Sequence, residues 1–361
     1  MANFMEDQEK KLYPLKFVPI VAQNDWGTET YCLADLGAPD SVAIGGWLDE
    51  DSLGDIMETY MDRVLGENPY YFYGRQFPLT IKKIETKADM PVFVCPDDEL
   101  ASVRYDALGN AKFWYIVSAK DDAVVYLGFS RNVMPEEVYA ASGDGSLRSL
   151  MNVKKVKKGD FFEIDPGIVH GASAGLEIIE ISEASPLNLD LTDASDLVEA
   201  LDFINYDKGC HLDCHCEDGD CHCHEDGHEC HCHEDKIATH LAEREEFVVT
   251  KVKLSDPLHI YMEQFGSFLV YVVAEGEASV QVPVDGGMES YVVSKGECLL
   301  IPAECPDFFL VPRDRETVLL ECGPGEHEEH DSYLDNPEDH HHHHDHDCCE
   351  DGHCHHHHDA E

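Results

Sequence analysis

The sequence predicts a mainly β protein with two domains, each a β-sandwich or jelly roll, together with a few helices and two acidic segments rich in Cys and His. A chain of 361 residues is too long for one typical hydrophobic core, which indicates two domains. Most of it consists of short β-branched and aromatic runs that Gly, Pro or Asp interrupts about every 8–12 residues. A short motif also occurs once in each half, as expected if the two domains share one architecture.

The strand-like runs fall into two groups of similar composition. They are LTIKKIET, FWYIVSA, AVVYLGF, DFFEID and LEIIEIS in the first half, and FVVTKVKL, FLVYVVAEG, ASVQVPV, ESYVVS and CLLIPA in the second.

Helical spacing of apolar residues is clearest over residues 50–66. The apolar positions are Leu53, Ile56, Met57, Tyr60, Met61, Val64 and Leu65. Asp51 or Ser52 can cap this helix and Gly66 can end it. Two shorter helices are expected near 193–203 and over 134–141.

The repeated motif is KGDFFEI at residues 158–164 and KGECLLI at residues 295–301, each a turn that leads into a strand and a loop containing proline. His170 follows the first copy, whereas Asp307 stands at the matching place after the second. The second domain is therefore not expected to carry a matching metal site. Chance is the alternative explanation of so short a repeat.

Charge and targeting signals limit the partners. The formal net charge is -49, so the chain repels phosphate backbones and anionic lipids, and neither nucleic acid nor membrane is an expected partner. The first residues contain no signal peptide and no run reaches the roughly 20 apolar residues of a membrane span. We expect a cytoplasmic protein, in which 15 Cys are unlikely to form a disulfide framework. The ten Cys that lie in the acidic tracts are better explained by metal binding.

Cys and His are concentrated in two acidic tracts, an inner one from Cys210 to His233 and a tail after Gly325, which hold 20 of the 23 His. Thiolate and imidazole are the ligands that zinc, nickel and copper prefer. The candidate metal ligands are Cys210, His211, Cys214, His215, Cys216, Cys221, His222, Cys223, His224, His228, Cys230, His231, Cys232, His233, His340, His341, His342, His343, His344, His346, Cys348, Cys349, His353, Cys354, His355, His356, His357 and His358.

Both tracts are expected to be disordered, since Leu212 is the one residue besides Cys between Cys210 and Asp235 that could form a core. With four ligands per ion, the inner tract would hold roughly three zinc ions. A purification tag and a solvated acidic tail are the alternative explanations of the His-rich end. The ligand types do not choose between zinc, nickel and copper.

Beyond these tracts the chain resembles the class I mannose-6-phosphate isomerases, which are zinc enzymes with two cupin (jelly-roll) domains. The resemblance runs from about Tyr13 to Gly325. It is carried by YPLKF (13–17), WG (26–27), FPLTIK (77–82), PDDE (96–99), WYI (114–116), YLGF (126–129), KGD (158–160) and VH (169–170). It implies a first cupin domain over 11–206, a metal-binding insert over 207–236, a second cupin domain over 237–325 and a tail over 326–361.

The resemblance also implies where catalytic zinc would bind, and there the sequence departs from the family. The zinc positions fall on Phe93, Cys95, Lys112 and His170, where the family has Gln, His, Glu and His. The position of the catalytic Arg falls on Asp190. A catalytic zinc normally has three protein ligands, and this set offers two at most, so active-site zinc is not expected. Cys95 is either a ligand or a small apolar residue at a strand end.

Lys112 suggests a hypothesis of its own. Its ammonium could replace the charge of the zinc ion and hold an anionic or hydroxylated ligand without activating it. The alternative is a lysine whose stem covers the mouth of the domain while its head reaches water.

Three functions follow as alternatives. The favoured one is a protein without isomerase activity that binds several transition-metal ions through its tracts. The second is an active zinc-dependent isomerase that interconverts mannose 6-phosphate and fructose 6-phosphate. The third is a pseudoenzyme that binds a sugar phosphate in its first cupin.

Overall fold

The computed structural model describes residues 10–209 and 237–325. These residues are mainly β, as predicted. The strands are β1 (Lys16–Phe17), β2 (Ile20–Asn24), β3 (Gly27–Leu33), β4 (Ala43–Ile44), β5 (Leu79–Thr86), β6 (Phe93–Val94), β7 (Lys112–Ala119), β8 (Val124–Phe129), β9 (Met151–Lys155), β10 (Phe161–Ile164), β11 (His170–Ala172), β12 (Leu176–Glu183), β13 (Leu189–Asp190), β14 (Ala238–Glu243), β15 (Val248–Leu254), β16 (Leu258–Ile260), β17 (Leu269–Glu275), β18 (Glu277–Val284), β19 (Gly287–Ser294), β20 (Cys298–Ile301), β21 (Phe308–Pro312) and β22 (Thr317–Gly323).

Four large antiparallel sheets form two two-sheet units. The first unit has a six-stranded sheet, β10-β7-β12-β5-β3-β2, and a five-stranded sheet, β13-β6-β11-β8-β9. The second has a five-stranded sheet, β14-β15-β22-β17-β20, and a four-stranded sheet, β16-β21-β18-β19. A further pair, β1 with β4, lies beside them, and Leu15 in the adjacent segment bridges to Leu300 of the second unit.

Alternation along the strands of the six-stranded sheet produces two faces with different roles. Ile81 and Phe113 point outward and pack against residues such as Leu320 on the five-stranded sheet of the second unit. Ile84 and Trp114 point inward and form the core of the first unit. The inward positions therefore decide what the first unit can bind.

The helices are short, at Leu53–Tyr60, Asp62–Leu65, Glu67–Tyr73, Asp98–Tyr105, Pro135–Asp144 and Leu197–Ala200. Among the residues that the structure describes, none of the helices is long and apolar enough to cross a membrane.

The prediction of one helix over 50–66 was wrong. Ser52 caps the first helix as expected, its side chain accepting a hydrogen bond from the Asp55 backbone N–H. The helix ends at Tyr60. The next residue, Met61, has a φ of 46°, outside the right-handed helical region, and a second short helix follows it. Periodicity did not reveal the break, because Val64 and Leu65 after it are again buried. The helix expected near 193–203 is also shorter, at Leu197–Ala200.

Candidate functional site

The candidate site begins as a row of side chains across the inner face of the six-stranded sheet. Strand register places Glu180 of β12 opposite Trp114 of β7 on one side and opposite Lys82 of β5 on the other. Tyr31 of β3 pairs in turn with Lys82. Because side chains alternate between faces, all four belong to one transverse row that faces the interior.

Ion pairs and hydrogen bonds converge on Glu180 in this row. The Lys82 Nζ lies 2.6 Å from Glu180 Oε1, and the Lys112 Nζ lies 3.4 Å from the same oxygen. The indole Nε1 of Trp114 donates to Glu180 Oε2 at 2.7 Å. Lys82 also lies 3.3 Å from Glu29 Oε1 at the more open end of the row. Two buried ammonium groups are thus balanced by two carboxylates.

The protonation of Glu180 follows from these contacts. Burial alone would raise its pKa, but Lys112, Lys82 and the hydrogen bonds from Lys82 and Trp114 hold the pKa well below its ordinary value. Burial also acts to lower the pKa of Lys82, yet Glu180 and Glu29 raise it. The Glu180 and Lys82 pair is therefore ionised across the physiological range.

Lys112 is buried at one of the positions where the resemblance implies a metal ligand. It is 1% exposed and stands opposite Ser182 in the row next to that of Glu180. The idea that its head reaches water is therefore wrong. The pairing with Glu180 places an ammonium where the resemblance implies a metal-binding carboxylate.

The facing sheet supplies the opposite wall. Its register aligns Leu127, His170, Phe93 and Asp190 in a row across β8, β11, β6 and β13. The rings of Trp114 and His170 meet across the interior at 5.6 Å between centroids in an edge arrangement. The two rows thus enclose one site.

His170 is held as a neutral imidazole. Its Nδ1 lies 2.9 Å from the Ile168 carbonyl oxygen, to which it donates when Nδ1 carries the proton. Burial, and to a smaller extent the nearby Lys112, lower the pKa of His170 from 6.5 to about 4.

Cys95 lies beside the same site, just after β6. Its thiol is buried and donates to Asn188 Oδ1 at 3.2 Å. Burial raises the pKa of this thiol to about 11, against the smaller lowering effect of Lys112. The contacts favour the interpretation of Cys95 as a protonated residue at a buried strand end over that of a thiolate ligand.

A cavity of about 360 Å³ opens beside these rows. It is lined by Asn24, Trp26, Glu29, Tyr31, Leu36, Thr80, Lys82, Pro91, Phe93, Asn110, Ser182, Ser185, Pro186, Asn188 and Asp190. Phe93 and Asp190, which the sequence singled out, are therefore wall residues. Cys95, Lys112 and His170 lie behind them in the interior.

The described residues do not fit the zinc of the family. Within residues 10–209 and 237–325, no three or more His, Cys, Asp or Glu side chains converge as a metal site. At the family's positions, Phe93 has no lone pair to donate, Cys95 is protonated and Lys112 is a cation. The Cys and His tracts, from Cys210 to residue 236 and from residue 326 onward, lie outside the described residues.

Sequence reasoning missed the roles of Lys82, Glu180 and Glu29. A signal was present, because Lys82 and Glu180 lie in strands whose positions are almost all buried. Such positions are unfavourable for a lone charge and indicate a partner. The identity of that partner depends on the register of three strands, which is known only from the fold.

The known proteins that this chain resembles are mannose-6-phosphate isomerases. No family model matches the chain. The probable mannose-6-phosphate isomerase GmuF of Bacillus subtilis (strain 168) is 32% identical over 136 residues, which is 37% of this chain and 43% of that protein. The mannose-6-phosphate isomerase ManA of the same organism is 28% identical over 199 residues, 50% of this chain and 61% of that protein. The matches thus span about half the length of these two relatives.

Solved structures extend the likeness over most of the chain. The mannose 6-phosphate isomerase of Bacillus subtilis superposes with a TM-score of 0.68 at 20% identity, covering 86% of this chain and 99% of that one. A zinc-bound mannose 6-phosphate isomerase gives a TM-score of 0.65 at 12% identity over 87% of this chain and 100% of that one. At these identities the likeness shows the fold alone. It confirms the prediction of two cupin-type jelly rolls.

Proposed function

Because the chain is a divergent relative of the mannose-6-phosphate isomerases, we propose that its first cupin is a ligand-binding pocket that no longer catalyses isomerisation. The observation that carries this proposal is the buried ion pair between Lys112 and Glu180 at the family's metal position. An ammonium there supplies positive charge but no open coordination site. Aldose and ketose interconversion in this family depends on a metal that polarises the sugar oxygens, and this ammonium is already committed to a carboxylate.

The same wall also lacks the charge that a sugar phosphate would need. Asp190 occupies the position at which the resemblance implies the catalytic Arg, and it lines the cavity. The change reverses the sign of the charge at that point. Loss of the metal ligands and reversal of this charge both act against turnover of a phosphorylated sugar.

The pocket nevertheless retains features of a binding site. Trp26, Tyr31 and Phe93 present aromatic rings to the cavity, and amide and hydroxyl groups stand between them. Its volume lies within the range of about 300–1,000 Å³ that is typical of small-molecule sites. Nine of its fifteen lining residues carry Asn, Ser, Thr, Lys, Asp or Glu side chains, which suits a ligand rich in polar groups. The ion pairs and the hydrogen bond of Glu180 lie behind the wall of this cavity.

A coupled assay on the full-length chain tests this proposal. Conversion of mannose 6-phosphate to fructose 6-phosphate is followed by coupling through phosphoglucose isomerase and glucose-6-phosphate dehydrogenase, with added zinc and with a chelator. We expect turnover at background in both conditions. Turnover of about 1 per second or faster, the range of ordinary enzymes, would support the active-isomerase alternative instead.

We further propose that the two Cys/His tracts bind several transition-metal ions and give the protein a metal-buffering role. The support is the concentration of 20 of 23 His and ten of 15 Cys in these tracts, against a formal charge of -49. The five described Cys are all free, consistent with a reducing compartment such as the cytoplasm. Metal analysis of the full chain and of chains without residues 210–236 or 326–361 tests this proposal. Metal content that does not fall with either deletion would contradict it.

A further inference from the structure

Two buried oxygen atoms in the wall of the first-cupin cavity have no hydrogen-bond partner. They are the Thr80 hydroxyl Oγ1 and the Asn110 amide oxygen Oδ1. Thr80 is 2% exposed and Asn110 is 3% exposed, and both line the cavity. Buried polar atoms are nearly always satisfied in folded proteins, so two such atoms in one cavity indicate a missing partner.

The hydrogen bonds of its nitrogen, Nδ2, determine the orientation of the Asn110 amide. Its Nδ2 donates to the Leu187 carbonyl oxygen at 2.9 Å and to the Ser185 carbonyl oxygen at 3.4 Å. Only the nitrogen can make these bonds, so Oδ1 is the atom left without a partner. An amide oxygen only accepts, and its missing partner must therefore be a donor.

The charges around the cavity exclude a strongly anionic partner. Among the described residues that line it, Lys82 is the one cation, and it is paired with both Glu29 and Glu180. Asp190 adds a carboxylate to the wall, and Lys112 behind it is paired with Glu180. With two ammonium groups against three carboxylates, the cavity carries a net negative charge. A phosphate dianion would be repelled there.

We infer that the cavity binds a neutral polyhydroxylated ligand, such as an unphosphorylated monosaccharide or polyol, with one hydroxyl donating to Asn110 Oδ1 and another bonding to Thr80 Oγ1. This inference rests on the proposed function and specifies its ligand class. Such a ligand satisfies both orphaned oxygens and brings no charge. Its C–H faces fit against the rings of Trp26, Tyr31 and Phe93 that line the same cavity.

Calorimetric titration of the full-length, chelator-treated protein tests the inference. The probes are D-mannose, D-fructose and D-mannitol, each compared with its 6-phosphate. We expect at least one of the neutral probes to bind saturably, and its 6-phosphate to bind at least about tenfold more weakly. A 6-phosphate that binds more tightly, or the absence of saturable binding by every probe, would overturn the inference.

Two variants link the binding to the named atoms. Thr80→Val and Asn110→Leu remove the two oxygens at nearly constant volume, and each should weaken the neutral ligand about tenfold. The matched control is Ser142→Ala, which removes another buried hydroxyl without a partner, one that does not line the cavity. A further variant, Asp190→Asn, removes one of the three carboxylates and should strengthen binding of the 6-phosphate.

Outcomes for this inference and for the proposed function are distinguishable. Unchanged affinity in Thr80→Val contradicts the hydroxyl contact even if Asn110→Leu, which also loses two structural bonds, fails to fold. Tight binding of a 6-phosphate without turnover would overturn only the ligand class. Turnover of mannose 6-phosphate would overturn the proposed function itself.

Discussion

Lys112 and Glu180 form an ion pair inside the first cupin, with 3.4 Å between Nζ and Oε1 and with both side chains 2% exposed. Glu180 accepts simultaneously from Lys82 and Trp114 on the neighbouring strands. Glu180 therefore pairs with two buried ammonium groups and is the central residue of the site. These pairs lie behind the wall of the cavity and leave Lys112 unable to serve as a metal ligand.

Removal of the Glu180 carboxylate should destabilise the protein strongly. Glu180→Gln leaves Lys112 buried without its carboxylate and leaves Lys82 with Glu29 alone. Breaking a buried pair in this way costs about 3–5 kcal/mol. Lys112→Met should cost less, because Lys82 still neutralises Glu180. Chemical denaturation measures both changes in the free energy of unfolding.

The control for that experiment is an ion pair at the surface. Lys158 lies 2.5 Å from Glu275, and the Lys158 side chain is 56% exposed. Lys158→Met should change the free energy of unfolding by less than about 1 kcal/mol. If Glu180→Gln costs no more than this control, the central role of Glu180 is contradicted.

The buried histidine should make stability depend on pH. Burial and then Lys112 lower the pKa of folded His170 from 6.5 to about 4. Between these values the unfolded chain binds a proton that the folded chain does not, so the free energy of unfolding falls as pH decreases from about 6.5 to about 4. Above about pH 6.5 the contribution of His170 to the free energy of unfolding no longer depends on pH.

His170→Gln isolates this contribution from the other titrating groups. Between pH 7 and pH 4 the parent should lose about 3 kcal/mol relative to the variant, measured by denaturation at a series of pH values. The lost contact with the Ile168 carbonyl shifts the variant equally at all these pH values. Parallel stability curves for the two proteins would show that His170 is not a neutral buried group.

The two Cys/His tracts should release their bound metal ions on acidification, and the stability of the two cupin units should not change as a result. Protons compete with metal for thiolate and imidazole, and zinc binds thiolates more tightly, so the His-rich tail should release its ions first. Zinc stoichiometry and thermal unfolding are followed together on the full chain and on tract-deleted chains. A large loss of thermal stability on chelation would mean that the metal is structural.

Restoration of the family's ligands should create a zinc site in the first cupin. The triple variant Phe93→Gln, Cys95→His and Lys112→Glu supplies three ligands around His170, and a tract-deleted chain carrying it should bind zinc tightly. Lys112→Glu alone is the control, because it offers only two or three ligands and leaves Phe93 in the wall. A folded triple variant without zinc would show that these four positions do not converge as the resemblance implies.

Local patterns predicted ten of the strands but missed others, such as Gly27–Leu33 and Thr317–Gly323, and they predicted the site only in part. Residues 79–86 form a strand with the bounds that the sequence indicated, because β-branched residues alternate between two buried faces. The helix Asp98–Tyr105 escaped notice, since Ala101 is its one buried residue and it carries no apolar stripe. Its Asp97 cap was the available signal.

Prediction of the site required information that local sequence patterns do not contain. The positions Phe93, Cys95, Lys112, His170 and Asp190 came from the resemblance. The pairing of Lys112 with Glu180 came from register across β7 and β12. Register is decided by which faces are buried in the complete sheet, and one strand's sequence does not specify it.

The most direct test of the account is the zinc content of the first cupin in a chain without residues 210–236 and 326–361. After exposure to zinc and extensive dialysis, elemental analysis should find no stoichiometric zinc, because Lys112 and Glu180 occupy the position as an ion pair. One tightly bound zinc per chain, lost in His170→Gln or Cys95→Ser, would contradict the claim that an ammonium has replaced the metal.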